Sequence, residues 1–388
     1  MPRSVAQTKG NLLVFSDFDS RLKWGLSMAH CLESEFEKIV VYHREDNFKQ
    51  IQFYLERNYL LKYYKNRNEI FDDIDVFEKI QVIILAMGGT ENIYFLHKLQ
   101  KYFTVEHTRP IVVAGMNGLT DCNDLHALLC RVGADIICVN SYSNFIAFKK
   151  KMLALSIESD SLLLFGYMRN YEKVMQSRSR NCNQMTTLIV GQANMPSQRK
   201  QQRYFMNKIY AYAIKYPERK IIIKQRSIAN KNHMNFYFER YKILQPWKWR
   251  IVFSIKMPKN VVFSDEPIEK LFLQADLCLG FHSTALIESI NLGIPTLVIK
   301  DFGIGKNVGN HDFIESGLLA SLDDWINDKI PRVNQKWKEE NCNFATSDEV
   351  RQLKDLIKQK VFKQNKEAIK QYYSQERFPY FYQKIKFY

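Results

Sequence analysis

The chain alternates short, almost purely apolar runs with longer segments of mixed polarity, and this alternation limits the folds that it can adopt. In the first half the apolar runs are LLVFS (12–16), KIVVY (38–42), QVIILAM (81–87), PIVVAGM (110–116), DIICVN (135–140) and SLLLFGY (161–167). Longer amphipathic segments lie between them, such as NFKQIQFYLERNYLLKYYK (47–65), which we expect to be helical. Strands that are apolar on both faces and alternate with helices are typical of a parallel sheet covered on both sides.

The alternation stops at residues 168–184, which are polar and basic, and then resumes. The second series comprises TTLIVGQ (186–192), a helix predicted over 196–216, RKIIIKQR (219–226), VVFSD (261–265), ADLCLGF (275–281) and PTLVIK (295–300). A chain of 388 residues also exceeds what one core usually supports. We therefore predict an α/β protein with two doubly wound, Rossmann-like domains facing across a cleft. The expected parts are 1–170, a linker over 171–185, a second domain over 186–345, and a basic, aromatic helical segment over 346–388.

Composition excludes several classes of protein. Apolar residues make up 46% of the chain, which is too many for a disordered protein. No run of about 18 apolar residues suggests a membrane span, and the first residues show no signal-peptide core, so we expect a cytoplasmic protein. The seven cysteines form no CxxC pair and no HExxH motif occurs, so we expect neither disulfides nor structural zinc.

The net charge of +15 points to anionic partners: nucleic acid, anionic lipid or phosphorylated substrates. The last stretch of the chain, from 354, mixes lysines with tyrosines and phenylalanines. Such a helix can lie on an anionic membrane surface, or it can be solvated with its aromatic side chains packed on its own protein.

The segment 272–301, FLQADLCLGFHSTALIESINLGIPTLVIKD, reads as strand, turn, helix, turn and strand. Ser283 and Thr284 lie at the predicted helix N-terminus, where unpaired N–H groups and the helix dipole favour anions. Either hydroxyl can cap the helix and also reach a phosphate oxygen. Glu288 follows Thr284 by four residues on the same face and suits the two hydroxyls of a ribose. An ordinary N-cap is the alternative interpretation.

Other polar groups follow strands of the second domain, where ligands of open α/β sheets bind. Gln192 ends one strand, while Lys224 and Arg226 end another and can neutralise a phosphate or a sugar carboxylate. His282 can contact a leaving phosphate or act as an acid. The stretch DFGIGKNVGNHDFIESGLL (301–319), which contains Asn310, reads as a polar loop before a helix that ends at Gly317. This loop either closes over a nucleotide sugar or merely connects two elements.

In the first domain the first strand runs into Asp17, Asp19 and Arg21. One carboxylate can serve as a general base, whereas a single Asp could simply cap the helix expected over 20–35. Asp17-Phe18-Asp19 also matches a short Asp-x-Asp metal-binding pattern. Gly88-Gly89-Thr90 and Gly115-Met116-Asn117-Gly118 follow the third and fourth strands, and are either acceptor-site loops or plain turns.

Several longer stretches, in this order, resemble a bacterial family of glycosyltransferases of the GT-B type, from the first strand to about Asp324. The matching stretches are FSDFDSRLKW (15–24), RPIVVAGMNG (109–118), RVGADIICVN (131–140), VGQANMPSQRKQQRYF (190–205), IIIKQR (221–226), HSTALIESINLGIPT (282–296) and NHDFIESGLLASL (310–322). The second half also resembles bacterial sialyltransferases and capsule-type transferases, which carry a Ser-Ser/Thr pair where Ser283 and Thr284 stand. Those enzymes also have a His-Pro pair where this chain has Lys224-Gln225-Arg226.

The resemblance implies that the C-terminal domain binds a nucleotide sugar and the N-terminal domain a glycan acceptor. Donor-binding residues would be Gln192, Lys224, Arg226, His282, Ser283, Thr284, Glu288 and Asn310; acceptor-binding residues would be Arg21, Gly89, Thr90 and Asn117. Asp19 or Asp17 would deprotonate the acceptor hydroxyl, with His282 as a further catalytic candidate, giving inversion without a metal or other cofactor.

The favoured donor is a CMP-linked nonulosonate or Kdo, followed by a UDP-hexose, and no nucleic-acid partner is expected. The acceptor would be lipooligosaccharide or capsule at the inner face of the cytoplasmic membrane. Two alternatives are a nucleotide-sugar epimerase of GT-B fold and a non-catalytic polyanion-binding protein.

Overall fold

In the computed structural model the chain divides into two compact units, Met1–Met168 with Asn343–Tyr388, and Arg169–Cys342. The structure describes residues 9–44, 59–72, 79–103, 109–168, 184–191, 195–224 and 258–363. No helix among these residues is long and apolar enough to cross a membrane.

Each unit contains one parallel sheet. The described strands are β1 (Asn11–Ser16), β2 (Lys38–Arg44), β3 (Leu60–Tyr64), β4 (Ile80–Ala86), β5 (Ile111–Gly115), β6 (Ile136–Val139), β7 (Leu162–Leu164), β8 (Thr186–Val190), β9 (Lys220–Lys224), β10 (Val261–Ser264), β11 (Leu277–Gly280), β12 (Thr296–Ile299) and β13 (Leu319–Ala320). The described strand order is β3-β2-β1-β4-β5-β6-β7 in the first sheet and β10-β9-β8-β11-β12-β13 in the second. Every strand pair is parallel, so the predicted pair of doubly wound, Rossmann-like domains is confirmed.

Helices connect the strands as a parallel sheet requires. The described helices are α1 (Asp19–Leu32), α2 (Glu69–Asp72), α3 (Gly89–Tyr102), α4 (Leu125–Leu129), α5 (Tyr142–Ala154), α6 (Arg199–Lys215), α7 (Ile268–Gln274), α8 (Thr284–Asn291), α9 (Leu322–Ile326), α10 (Gln335–Asn341) and α11 (Ser347–Lys363).

The first sheet is buried on both faces because side chains of successive strand residues point to opposite sides. Leu13 and Phe15 of β1 pack in one apolar cluster, and Leu12 and Val14 pack in the other. This double burial explains why the strands read as uninterrupted apolar runs. In the second sheet one face of β8, β9, β11 and β12 packs against α6 in a single cluster.

Helix α11 belongs to the first unit, although it follows the second unit in sequence. Its Leu353 and Ile357 are buried in the cluster that contains Leu12 and Val14. Glu35 lies 3.0 Å from Lys358 Nζ, and this hydrogen bond holds the pKa of the Glu35 carboxyl below its usual range. The described part of the C-terminal segment therefore packs its apolar face on its own protein, while residues 364–388 lie outside the described residues.

Two local predictions are wrong. Residues 60–64, which we expected to continue a helix, form strand β3 and pair in parallel with β2. They form an edge strand that is largely half-buried, so their apolar pattern is weaker than that of the central strands. The helix expected to end at Gly317 is only a 3₁₀ turn over Asn310–Phe313, and Gly317, with a φ of +75°, leads into β13.

Candidate active site

Each sheet has one place where the strand order reverses, and ligands of doubly wound proteins bind beyond the strand ends at that place. In the first sheet it lies between β1 and β4, and in the second between β8 and β11. The two switch points are described separately below, because each is built from residues of one unit.

Asp17 follows β1 and is 3% exposed. Its Oδ2 accepts hydrogen bonds from Arg21 Nη1 at 2.5 Å and from the backbone N–H of Gly88 at 3.1 Å. The second oxygen, Oδ1, is buried and has no hydrogen-bond partner among the described residues. Asp17 therefore does not cap helix α1, whose N-cap is Phe18. It joins the ends of the two strands at the switch point through Oδ2, and Oδ1 keeps its lone pairs unpaired among the described residues.

Glycine is required at position 88 by the approach of Arg21. A Cβ added there would lie 2.6 Å from Arg21 Nη1, so any side chain would displace the guanidinium from Asp17. Gly89, the first residue of α3, is similarly crowded by Cys130 Sγ at 2.9 Å. The double glycine thus serves close packing.

Two asparagines meet the end of β4 from different directions. Asn92 Nδ2 and Asn117 Nδ2 both donate to the carbonyl oxygen of Met87, at 3.2 and 3.0 Å. Since a carbonyl only accepts, both amides must turn their nitrogen toward it, and their oxygens point elsewhere. Both oxygens are buried and lack a partner among the described residues. Asn117 was a predicted acceptor-site residue, whereas Asn92, fully buried inside α3, was not noticed in the sequence.

A buried polar network supports this strand end. Ser16 Oγ lies 2.6 Å from His43 Nδ1, and the Tyr64 hydroxyl donates to the Ser16 carbonyl at 3.1 Å. Burial, followed by the nearby charge of Asp17, raises the pKa of Tyr64 above its usual range. The phenol therefore remains a donor at neutral pH and holds the residue before Asp17 in place.

The remaining predicted residues of the first domain are placed as follows. Arg21 is bound to Asp17 and lies over the Phe18 ring, 4.9 Å from its centroid. Thr90 follows Gly89 in the first turn of α3 and is half-buried. Asp19 is the first residue of α1. Because Arg21 places a positive charge beside Asp17, the Asp-x-Asp sequence is poorly arranged to hold a cation there.

In the second unit Ser283 is the N-cap of α8, directly beyond β11. Its Oγ accepts a hydrogen bond from the Ala285 N–H at 3.2 Å, and Thr284 is the first helical residue. A hydroxyl that accepts from the backbone can still donate its own proton to another group. The helix N-terminus thus offers the anion-favouring environment that the sequence predicted. Glu288 lies one turn further along α8 and is half-buried.

His282, the residue before this cap, is held by a residue that sequence reasoning missed. Its Nε2 lies 2.9 Å from Oδ2 of Asp312 on the 3₁₀ turn. The ring of His311 stacks beside it, with centroids 6.4 Å apart. Asp312 stands within NHDFIESGLLASL, but nothing local in that stretch indicates its partner thirty residues earlier.

The other predicted donor-site residues differ in what they can reach. Lys224 ends β9, and its Nζ donates to the carbonyl of Asp265 at 3.2 Å. Asn310 is fully buried, and its amide bonds the backbone of Ile299, Gly303 and Gly305. The Asn310 amide therefore organises its own loop, and its role in donor binding stays a prediction. Gln192 and Arg226 lie outside the described residues.

These two sheets, each with polar groups at its switch point, define a protein of the GT-B fold class. The family described as "Putative glycosyltransferase (DUF6716)" matches residues 12–357. The chain belongs to this family, which confirms the resemblance to GT-B glycosyltransferases. A comparison with curated proteins gives no match.

Solved structures show the same fold at low sequence identity. The UDP-GlcNAc 2-epimerase of Methanocaldococcus jannaschii, in complex with UDP-GlcNAc and UDP, has a TM-score of 0.57 at 12% identity, over 90% of this chain and 99% of that one. The UDP-GlcNAc 2-epimerase of Neisseria meningitidis, bound to UDP-GlcNAc, has a TM-score of 0.52 at 13% identity, over 90% and 99%. The wall teichoic acid polymerase TagF, solved with CDPG, has a TM-score of 0.52 at 12% identity, over 91% and 89%.

Proposed function

We propose that this protein transfers a sugar from a nucleotide sugar to a hydroxyl group of a glycan acceptor. The observation that carries the proposal is the arrangement beyond β11, where Ser283 caps α8 and His282 lies directly before the cap. A helix N-terminus with a hydroxyl and an imidazole suits the phosphate of a nucleotide. Membership of a family described as glycosyltransferases gives the reaction class.

In this proposal the second unit binds the donor. Ser283 and Thr284 would bind phosphate, Lys224 and Arg226 would add positive charge, and Glu288 would bind the ribose hydroxyls. Gln192, which follows β8 in the sequence, would bind the same ligand. A helix dipole and cations would stabilise the leaving phosphate, so that the transfer would need no metal.

The first unit would bind the acceptor and supply the base. The Asp17 carboxylate would take the proton of the acceptor hydroxyl through Oδ1, which has no hydrogen-bond partner among the described residues. Asp19 is the alternative base. The acceptor oxygen would then form a bond to the anomeric carbon as the bond to the nucleotide phosphate breaks, with inversion of configuration. Arg21, Gly89, Thr90 and Asn117 would surround the acceptor.

Two donor classes have support of different kinds. The Ser-Thr pair at 283–284 resembles the corresponding pair of CMP-sugar transferases, which favours a CMP-linked nonulosonate or Kdo. The epimerase structures of the same fold carry UDP or UDP-GlcNAc, which favours a UDP-hexose and keeps an epimerase as the alternative activity. The acceptor would be lipooligosaccharide or capsule, and the net charge of +15 supports contact with the anionic inner membrane face.

The test is binding of CMP, UDP, GDP and their sugars by thermal shift and calorimetry. We expect one nucleotide to bind wild type selectively and to bind Ser283→Ala at least tenfold more weakly. Ser321→Ala is the matched control, because Ser321 caps α9 in the same unit with a bond from the Asp324 N–H at 3.0 Å. Both variants lose a cap worth about 1 kcal/mol, so only a role in the ligand site separates them.

Other results would redirect the assignment. If no nucleotide binds, the transferase proposal fails and steeply salt-dependent binding to random oligonucleotides would support a polyanion-binding protein. If a UDP-sugar binds and is converted to its epimer without an acceptor and without release of free nucleotide, the protein is an epimerase.

A further inference from the structure

His282 and Asp312 form a dyad that is joined by a hydrogen bond between their side chains. The His282 side chain is 25% exposed and that of Asp312 is 13% exposed, so the 2.9 Å contact between Nε2 and Oδ2 is largely protected from water. Both residues belong to the second unit and lie at the switch point described above.

The loop that carries Asp312 is anchored independently of the histidine. Asn310 Nδ2 donates to the carbonyl oxygens of Ile299 at 3.0 Å and Gly303 at 2.9 Å, and its Oδ1 accepts from the Gly305 N–H at 3.0 Å. Because the side chain of Asn310 is fully buried, the turn that follows has little freedom. Asp312 is thus held in place by its loop and does not depend on His282 for its position.

The dyad determines which ring nitrogen of His282 remains for a ligand. With Nε2 donating to Asp312, the neutral ring must keep Nδ1 without a proton, and a second proton on Nδ1 would give a cation stabilised by the carboxylate. Gly309 packs beside this edge of the ring, and a Cβ there would lie 3.1 Å from Nδ1, so a side chain at this position would crowd that nitrogen. No described residue hydrogen-bonds Nδ1.

We propose that Asp312 is a positioning residue of the nucleotide site, which acts through His282 on the donor phosphate. It orients the imidazole so that Nδ1 faces the anion, and its charge stabilises the imidazolium that neutralises the leaving phosphate. The proposal deepens the proposed function and rests on it, because the phosphate site is the one assigned there to Ser283 and Thr284.

The first experiment measures the tautomer of His282 by two-bond ¹H–¹⁵N spectra of the imidazoles, at about pH 8, where an ordinary histidine is neutral. The His282 signal is assigned by its loss in His282→Gln. We expect the Nε2–H tautomer in wild type and in Asp312→Asn, whose amide oxygen can still accept, and a tautomer mixture in Asp312→Ala. Pyrophosphate should shift the Nδ1 signal in wild type.

The second experiment measures affinity for UDP, CMP and the nucleosides uridine and cytidine by calorimetry. We expect Asp312→Asn to weaken nucleotide binding about tenfold and to leave nucleoside binding unchanged, because the amide keeps the hydrogen bond to Nε2 but loses the charge that strengthens it. Asp323→Asn is the control, because it also removes one carboxylate from the second unit. The Asp323 carboxylate pairs with Lys208 Nζ at 2.5 Å, and the Asp323 side chain is 60% exposed.

Three results would overturn the inference: unchanged nucleotide affinity in Asp312→Asn, an equal loss for nucleosides, or a His282 signal that ignores pyrophosphate. An equal loss for nucleosides would show that Asp312 merely supports the fold, and a His282 signal that ignores pyrophosphate would show that the ring does not contact the anion. If wild type binds no nucleotide but pyrophosphate still shifts His282, the proposed function fails while the dyad remains an anion site.

Discussion

Replacing Asp17 by asparagine tests the central catalytic assignment, because it keeps the size of the side chain and removes only its charge. In wild type, Oδ2 receives bonds from Arg21 at 2.5 Å and from the Gly88 N–H at 3.1 Å, while Oδ1 has no partner among the described residues. The amide oxygen of the variant can still accept from a donor, but Arg21 loses its counter-charge.

The expected loss of stability follows from the exposure of the two partners. Breaking a fully buried ion pair costs about 3–5 kcal/mol, whereas exposed pairs contribute about 0–1 kcal/mol. The Asp17 side chain is 2% exposed and that of Arg21 is 29% exposed, so the pair lies between these limits. We expect a loss of about 2 kcal/mol and a fall in Tm of roughly 4–8 °C for a unit of this size.

The expected loss of activity is larger than this change in stability. Removing a general base lowers the transfer rate about 10²–10⁴-fold, measured as release of free nucleotide in the presence of acceptor. Arg21→Gln is the matched control, because it breaks the same pair but keeps the carboxylate. It should lower the Tm by a similar amount and reduce the rate much less. An equal rate loss in Arg21→Gln would refute a role for Asp17 as base, as would an active Asp17→Asn beside an inactive Asp19→Asn.

Two further predictions concern packing in the second unit and can be tested without a substrate. Gly309→Ala should lower the free energy of unfolding, measured by urea denaturation, more than Gly303→Ala. Both glycines have a positive φ, but only a Cβ at Gly309 would clash with His282, at 2.9 Å. Equal losses would show that backbone strain alone lowers the stability. Burial raises the pKa of Cys278 to about 12, so at neutral pH its thiol should react with a thiol reagent only after unfolding, whereas the half-buried Cys122 should react in the folded protein.

The sequence predicts the central strands well because their environment is simple. A strand such as β4 is buried on both faces, so its sequence is an uninterrupted apolar run. Few other secondary-structure elements give such a run. Neither face of edge strand β3 is completely buried. The polarity pattern of Leu60 to Tyr64 therefore fits a helix as well as it fits a strand. The docking of α11 is not predictable from local pattern, because its partners Leu12 and Val14 lie more than three hundred positions earlier.

The same distinction applies to the candidate site. Ser283 could be recognised because a cap is a local feature: the hydroxyl, the helix start and the apolar face all lie within a few residues. The contact of Asp17 with Gly88 spans 71 positions and that of His282 with Asp312 spans 30, so only the folded sheet and its loops bring them together. Sequence reasoning therefore named Asp17, Gly88 and His282 as separate candidates and missed the contacts that Asp17 makes with Gly88 and His282 makes with Asp312.

The chemistry of the two switch points differs in a way that supports the proposed division of labour. At the first switch point three oxygens without a hydrogen-bond partner among the described residues can only accept: Oδ1 of Asp17 and the amide oxygens of Asn92 and Asn117. Such groups bind hydroxyls and repel phosphates, and Arg21 already neutralises the one charge among them. In the second unit the Ser283 hydroxyl and the imidazolium form of His282 can donate, and a helix begins beside them, which favours anions. An acceptor hydroxyl is thus matched to the first unit and a nucleotide phosphate to the second, because a phosphate at the first switch point would meet the Asp17 carboxylate and the lone pairs of two amide oxygens.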